Sequence, residues 1–234
     1  MSESSIAIIG HGKMGRAIAE VAKDSGIPIA AIIDEGTPIT RESLAGAAVA
    51  IEFTEPSAAI ANIKACVQAG CPVVVGTTGW YDQLESLSTF VTSSGGTMLW
   101  AANFSLGVNI FAELLRYAGE LFSRVPNFDA HLVESHHTAK KDAPSGTAIV
   151  LEKAVSSTLG RSVPITSIRV GSVPGTHELI FDAKYDQITL THTARDRRVF
   201  AEGAVAAARW LIGRKGVFTI ADMLGAPSVS SGAQ

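Results

Sequence analysis

The chain has 234 residues, of which 47% are hydrophobic and 18% charged, with a formal net charge of −3. That is enough apolar material for one large domain or two modest ones, and it leaves no overall basic field to draw nucleic acid or an anionic membrane. Attraction for anions therefore has to be local. The opening MSESSIAIIGHG lacks a basic segment and carries only the short apolar run IAII, and no stretch approaches the length of a membrane span. Cys66 and Cys71 support neither a disulfide framework nor a zinc site and read as buried thiols. The cytoplasm is the expected compartment.

In chain order, 5–9 reads as a buried strand, 10–15 as a glycine turn, and 14–25 as a helix with Met14, Ile18, Val21 and Ala22 on one face. A strand over 28–33 runs into Asp34, and 36–47 is a loop or short helix. Further strands are expected over 49–53, 72–75 and 97–101, and helices over 57–69 and 81–92. Ser57 is a plausible N-cap of the first of these helices and Gly70 its stop. Strands separated by helices imply right-handed crossovers and a parallel, doubly wound sheet.

Gly10-His11-Gly12-Lys13-Met14-Gly15 fits G-x-G-x-x-G between a strand and a helix. There Gly10 allows the tight turn, Gly12 lets backbone approach a pyrophosphate, and Gly15 allows close helix packing. Asp34 stands at the end of the second strand, where a carboxylate would accept from adenosine ribose hydroxyls. Asp34 and Glu35 together should repel a 2′-phosphate, which makes NADH easier to accommodate, while Lys13 leaves NADPH open. Gly76-Thr77-Thr78-Gly79 and Ala101-Ala102-Asn103-Phe104 follow the fourth and fifth strands, the ends at which open α/β sheets bind ligands.

From Asp129 the pattern changes to strands, over 129–135, 166–171, 177–181 and 187–194, with a helix over 145–159 as the one interruption. This suggests an α+β domain inserted into the dinucleotide-binding half. The expected division is 1–104 plus 197–234 for the first domain and 105–196 for the second. A helix over 199–212, with Phe200, Ala204, Ala207 and Leu211 on one face, returns the chain to the first domain, and the final SVSSGAQ reads as a frayed end. His131 and His192 read as sheet-face residues, and a zinc reading of His136-His137 is weak because adjacent strand residues point oppositely.

The segment VESHHTAKKDAPSGTAIVL joins a strand end to a helix start. Lys140 and Lys141 supply charge, Ser145 and Thr147 hydroxyls, and the helix start at Gly146 unpaired amides, a combination that should bind a carboxylate. His136 or His137 beside it can exchange protons near neutral pH, and a neighbouring cation would favour the neutral imidazole. Asp142 can pair with either lysine.

Glu134-Ser135-His136-His137, Lys140 and Asp142-Ala143-Pro144-Ser145-Gly146-Thr147-Ala148 resemble the signature of the 4-hydroxy-tetrahydrodipicolinate reductase (dihydrodipicolinate reductase) family. GHGKMG, GTTG, AANFSLGVN and HTARDRRVFAEGA extend the resemblance over nearly the whole chain, in the family's order. It implies a Rossmann-like nucleotide-binding domain, an inserted substrate and oligomerisation domain, and a homotetramer joined through sheets of the insert. The implied reaction is NADH- or NADPH-dependent reduction of a cyclic imine dicarboxylate, with loss of water, to tetrahydrodipicolinate. By motif position, His136 is a proton donor or acceptor, Lys140 a proton donor, and His137, Ser145, Gly146 and Thr147 bind substrate. The cofactor would meet Gly10, His11, Gly12, Lys13, Met14, Gly15, Asp34, Gly76, Thr77, Thr78, Ala101, Ala102, Asn103, Phe104 and Arg197. The chain departs from the family in being short between Asp34 and Val49, and in having Glu35 where many bacterial members place arginine. A dehydrogenase of another amino-acid-derived acid would share the first half without the composite signature, and a non-catalytic NADH sensor would not need His136 and Lys140.

Overall fold

A computed structural model describes residues 4–225, so the SVSSGAQ segment lies outside the described residues. The chain divides into two compact units, Met1–Ser105 with Arg198–Gln234, and Leu106–Arg197.

The first unit begins β1 (Ile6–Ile9), α1 (Lys13–Asp24), β2 (Ile29–Ile33), β3 (Val49–Glu52), α2 (Pro56–Gln68), β4 (Val73–Val75), a 3-10 turn (Tyr81–Gln83) leading into α3 (Leu84–Ser93), and β5 (Thr97–Trp100). The second unit supplies α4 (Leu106–Phe122), β6 (Asp129–His136), α5 (Gly146–Leu159), β7 (Ile165–Arg169), β8 (Thr176–Ala183) and β9 (Asp186–Thr193). The chain then returns to the first unit through α6 (Arg198–Leu211), β10 (Gly216–Thr219) and α7 (Ile220–Leu224).

Six parallel strands in the order β10-β5-β4-β3-β1-β2 make the first sheet a Rossmann-like one. Its central strands are apolar on both faces, as a sheet covered by helices on both sides requires, and Ile6, Ile8, Ile51, Val73 and Leu99 are fully buried or nearly so. The order reverses between β1 and β3. A crevice therefore opens beyond the carboxyl ends of β1, β2 and β3, the usual ligand position in such sheets. Helix α6 packs against α1 with a face of small residues, Ala201, Gly203, Ala204, Ala207 and Ala208. A Cβ at Gly203 would collide with the Phe104 carbonyl, so the glycine sets how closely α6 approaches the end of β5.

One local expectation is corrected, and two elements are added that the sequence pattern did not mark. Glu55, not Ser57, caps α2, and Pro56 occupies the first turn, where its missing N–H costs nothing. The second unit contains α4 before its first strand, so its strands are interrupted by one helix and preceded by another. A sixth parallel strand, β10, follows α6.

In the second unit the sheet order is β7-β6-β8-β9, with β6 parallel to β7 and antiparallel to β8. Helices α4 and α5 pack on each other and on one face of the sheet, where Phe111, Leu115, Leu151 and Val155 meet Leu132, Leu179 and Phe181. The opposite face presents Val133, Ile168 and Ile180 among threonines, and no described helix of this unit packs on it. Strand alternation puts Leu132, Glu134 and His136 on the core-facing side of β6. The core thus ends in a carboxylate and an imidazole.

Candidate active site

The glycine turn of the first unit has the shape expected for holding a pyrophosphate. Gly10 has a φ of 92°, and a Cβ there would strike the Phe53 carbonyl. A Cβ at Gly15 would strike the Gly10 carbonyl, so the turn and α1 close on each other only without side chains. Gly12 differs: nothing lies within 4 Å of where its Cβ would be. The backbone there faces open space at the start of α1, whose N-cap has no side-chain partner. The residues present fit a dinucleotide.

A cavity of about 440 Å³ on one side of this turn is lined by Gly10, His11, Gly12, Asp34, Glu35 and Asn62, among others. The His11 amide donates to Asp34 Oδ1 at 3.4 Å, joining the turn to the end of β2. A second cavity of about 390 Å³ on the other side is lined by Gly12, Lys13, Met14, Gly76, Thr77 and Thr78, among others. Gly12, Phe53 and Thr54 border both.

Ala101, Ala102, Asn103 and Phe104 line neither cavity. Phe104 is buried with its ring 5.7 Å from that of Phe53, and Asn103 Oδ1 accepts from the Ser105 amide at 2.8 Å. Gly76 is required by packing, since a Cβ there would enter the Phe53 ring. Beneath the cavities lies Glu52, which sequence reasoning passed over. It is fully buried, contacts the Thr54 hydroxyl and accepts from Asn62 Nδ2 at 3.3 Å, while the Thr54 amide donates to Thr77 Oγ1 at 2.8 Å. Burial pushes its carboxyl pKa up. Glu52 closes β3 and Phe53 follows it, and a buried-strand pattern gives no hint of their different tasks.

In the second unit, Ser145 caps α5 and its Oγ accepts from the Ala148 amide at 3.1 Å. Gly146 opens the helix with open space on its Cβ side, and Thr147 follows half-buried. Lys140 Nζ donates to the Asp142 carboxylate at 2.8 Å, and that pairing holds the Asp142 pKa down. His137 is half-buried, and its carbonyl accepts from the Lys140 amide at 3.1 Å. Arg197 is exposed at the end of the unit.

His136 is buried within a cluster that strand register assembles. It sits opposite Arg169 on β7, Glu134 sits opposite His177 on β8, and His177 sits opposite His192 on β9. Glu134 is fully buried: Oε1 accepts from Arg169 Nη2 at 2.7 Å and from the Ser145 amide at 3.3 Å, and Oε2 touches His136 Nδ1. Burial works to raise the Glu134 pKa, but the bond from Arg169 and the surrounding positive charge outweigh it and bring it to about 2.

Burial pushes the His136 pKa down, Glu134 pulls it back up, and Lys140 and Arg169 push it down again, for a net fall. His177, with Nε2 3.4 Å from Ser145 Oγ, is pushed to about 4 by burial and the nearby His136. Ligand atoms of Glu134, His136 and His177 lie within 4.8 Å of one another, a spacing that could hold a metal ion. The Arg169 guanidinium bound to the same carboxylate opposes a second cation there. Of this cluster, Arg169 and His177 come from distant strands. Glu134 could have been found from the sequence, because alternation places residues two apart on one face.

Both thiols are buried; burial raises Cys71 to about 11 and Cys66 further still. No helix among the described residues is long and apolar enough to cross a membrane.

Two family models match most of the chain: dihydrodipicolinate reductase, N-terminus, over residues 4–104, and dihydrodipicolinate reductase, C-terminus, over 107–224. The 4-hydroxy-tetrahydrodipicolinate reductase of Christiangramia forsetii is 35% identical over 231 residues, covering 94% of this chain and 97% of that protein. The enzyme of the same name from Thiobacillus denitrificans is 33% identical over 264 aligned positions, covering 94% and 98%. Among solved structures, the dipicolinate-bound dihydrodipicolinate reductase from Paenisporosarcina sp. TG-14 superposes with a TM-score of 0.78 at 20% identity, covering 92% of this chain and 97% of that one.

Proposed function

The chain belongs to the dihydrodipicolinate reductase family, and on that premise we propose the residues that carry its reaction. It is an NAD(P)H-dependent oxidoreductase that reduces 4-hydroxy-tetrahydrodipicolinate to tetrahydrodipicolinate in lysine and diaminopimelate biosynthesis. A bound NADH or NADPH supplies the hydride.

The first unit holds this cofactor through Gly10 to Gly15, with Asp34 toward the adenosine ribose and Gly76 to Thr78 on the other side of the turn. Ala101 to Phe104 and Arg197 complete the cofactor assignment on family position. In the second unit, His137, Ser145, Gly146 and Thr147 bind a substrate carboxylate, using the amides and hydroxyls at the start of α5. Lys140 donates a proton, and His136 gives or takes one, as the substrate gains electrons and loses water. A dianion needs such cationic partners, and an acid beside it quenches the charge that reduction develops. The uncovered sheet face of the second unit, with Val133, Ile168 and Ile180, supports the expected homotetramer, and the cytoplasm is the compartment proposed for it.

The observation that carries this assignment is that Glu134 ties His136 to the Ser145-capped start of α5, with Lys140 in the connecting loop close enough to act on the His136 charge. The test is oxidation of NADH and of NADPH, with the substrate generated in place by the upstream synthase. Rapid oxidation that depends on the synthase product supports the proposal. Full cofactor binding with no such oxidation contradicts it.

A further inference from the structure

Two buried atoms of the second unit, Glu134 Oε2 and His136 Nδ1, touch each other and have no hydrogen-bond partner elsewhere among the described residues. A proton on Nδ1 satisfies both, whereas a lone pair on Nδ1 would face a carboxylate oxygen with nothing between them. The carboxylate is itself fixed by the Ser145 amide and by Arg169 Nη2 at its other oxygen. The same Nη2 also donates to the Asp142 backbone carbonyl, in the loop whose side chain holds Lys140. The other ring nitrogen, His136 Nε2, lies beside Gly175, where a Cβ would come within 3.1 Å of it.

We propose that Glu134 and Arg169 are positioning residues for the proton-handling pair. Glu134 keeps a proton on His136 Nδ1, so that Nε2 is the nitrogen that exchanges protons with substrate, and Arg169 holds Glu134 in place while anchoring the Lys140 loop. This rests on the assignment of His136 and Lys140 given above. In the acid step the proton leaves Nε2 of cationic His136 for the substrate, the Nδ1 proton stays on the ring, and solvent reprotonates Nε2. The groups around the imidazole are Glu134 on its own strand, Arg169 on β7, His177 on β8 with His192 behind it, and Lys140 and Asp142 in the loop. Only Glu134 and Asp142 carry negative charge, and Asp142 is paired with Lys140.

The two positioning residues should therefore move the histidine in opposite directions. Glu134→Gln removes the neighbouring anion, so His136 loses its proton at lower pH and the alkaline limb of kcat/KM moves down. Arg169→Met removes a neighbouring cation, so the limb moves up, and KM rises as the Lys140 loop loosens. Each substitution should lower kcat, by less than the roughly 10²–10⁴-fold that loss of the acid-base group itself would cost. Residues that only support the fold would lower activity without opposed shifts, and parallel or absent shifts overturn the proposal.

A second readout uses the unsubstituted protein with 15N-labelled histidine and needs neither turnover nor mutation. The proposal requires neutral His136 to carry its proton on Nδ1, against the usual preference of free imidazole for Nε2. A proton on Nε2 in the neutral form overturns it, whatever the activity assay shows. This measurement also decides the matter if a variant fails to fold, and it separates failure of the positioning idea from failure of the reductase assignment.

Discussion

The Ser145 amide donates to the Glu134 carboxylate at 3.3 Å, so the residue that caps α5 is tied to the strand that carries His136. The start of α5 and the end of β6, proposed above to bind substrate and to handle its protons, are thereby held in one frame, and the frame can be dismantled one piece at a time.

Ser145→Ala removes the Oγ that accepts from the Ala148 amide. Loss of such a cap costs about 1 kcal/mol, to be read as a fall in the urea midpoint at unchanged slope. The same variant should raise KM for the substrate more than it lowers kcat, because the site loses a hydroxyl while its proton donors remain.

Two glycines of one turn should respond differently to alanine. At Gly15 the new Cβ meets the Gly10 carbonyl, so Gly15→Ala should lower the melting temperature. At Gly12 it meets nothing, so Gly12→Ala should fold normally and weaken NADH binding, as followed by nucleotide fluorescence. Equal behaviour of the two variants would contradict a pyrophosphate cradle centred on Gly12.

Asp34 and Glu35 line the cavity beside the glycine turn, and the cofactor assignment proposed above puts a 2′-phosphate next to them. The enzyme should favour NADH in kcat/KM, and Glu35→Arg should move the ratio toward NADPH, mainly through KM. An unchanged ratio would show that Lys13, not the carboxylate pair, governs the choice.

His177 is held neutral by burial, with its pKa lowered to about 4. The unfolded chain takes up a proton below the ordinary histidine range, whereas the folded chain resists it until about pH 4. Folding stability should therefore fall as pH drops from about 6.5 to 4, by roughly 3 kcal/mol at most from this residue. Urea titrations across that range should show a shallower decline for His177→Gln.

How far the sequence discloses this arrangement depends on the range of the interactions. The glycine turn, Asp34 and the capped helix at Ser145 are local patterns, and local patterns are readable. Helix α4 is harder to read because apolar residues occupy more than one face. Val108, Phe111, Leu115 and Ala118 are buried, but Ile110, Leu114, Tyr117 and Leu121 are exposed, so no clean stripe marks the core side. Strand β10 has four residues, all half-buried at a sheet edge, which leaves little alternation to detect. Arg169 and His177 reach Glu134 and His136 only through strand register, and a segment read alone carries no register. Phe53 acquires its role from Gly76 and Phe104, on two other strand ends.

If His136 and Lys140 handle protons, the first unit should bind the cofactor independently of them. The deciding measurement takes kcat and NADH affinity together for His136→Gln and Lys140→Ala. In each variant kcat should fall by about 100-fold or more, with the NADH dissociation constant unchanged. Undiminished kcat, or loss of NADH affinity in step with kcat, would contradict it.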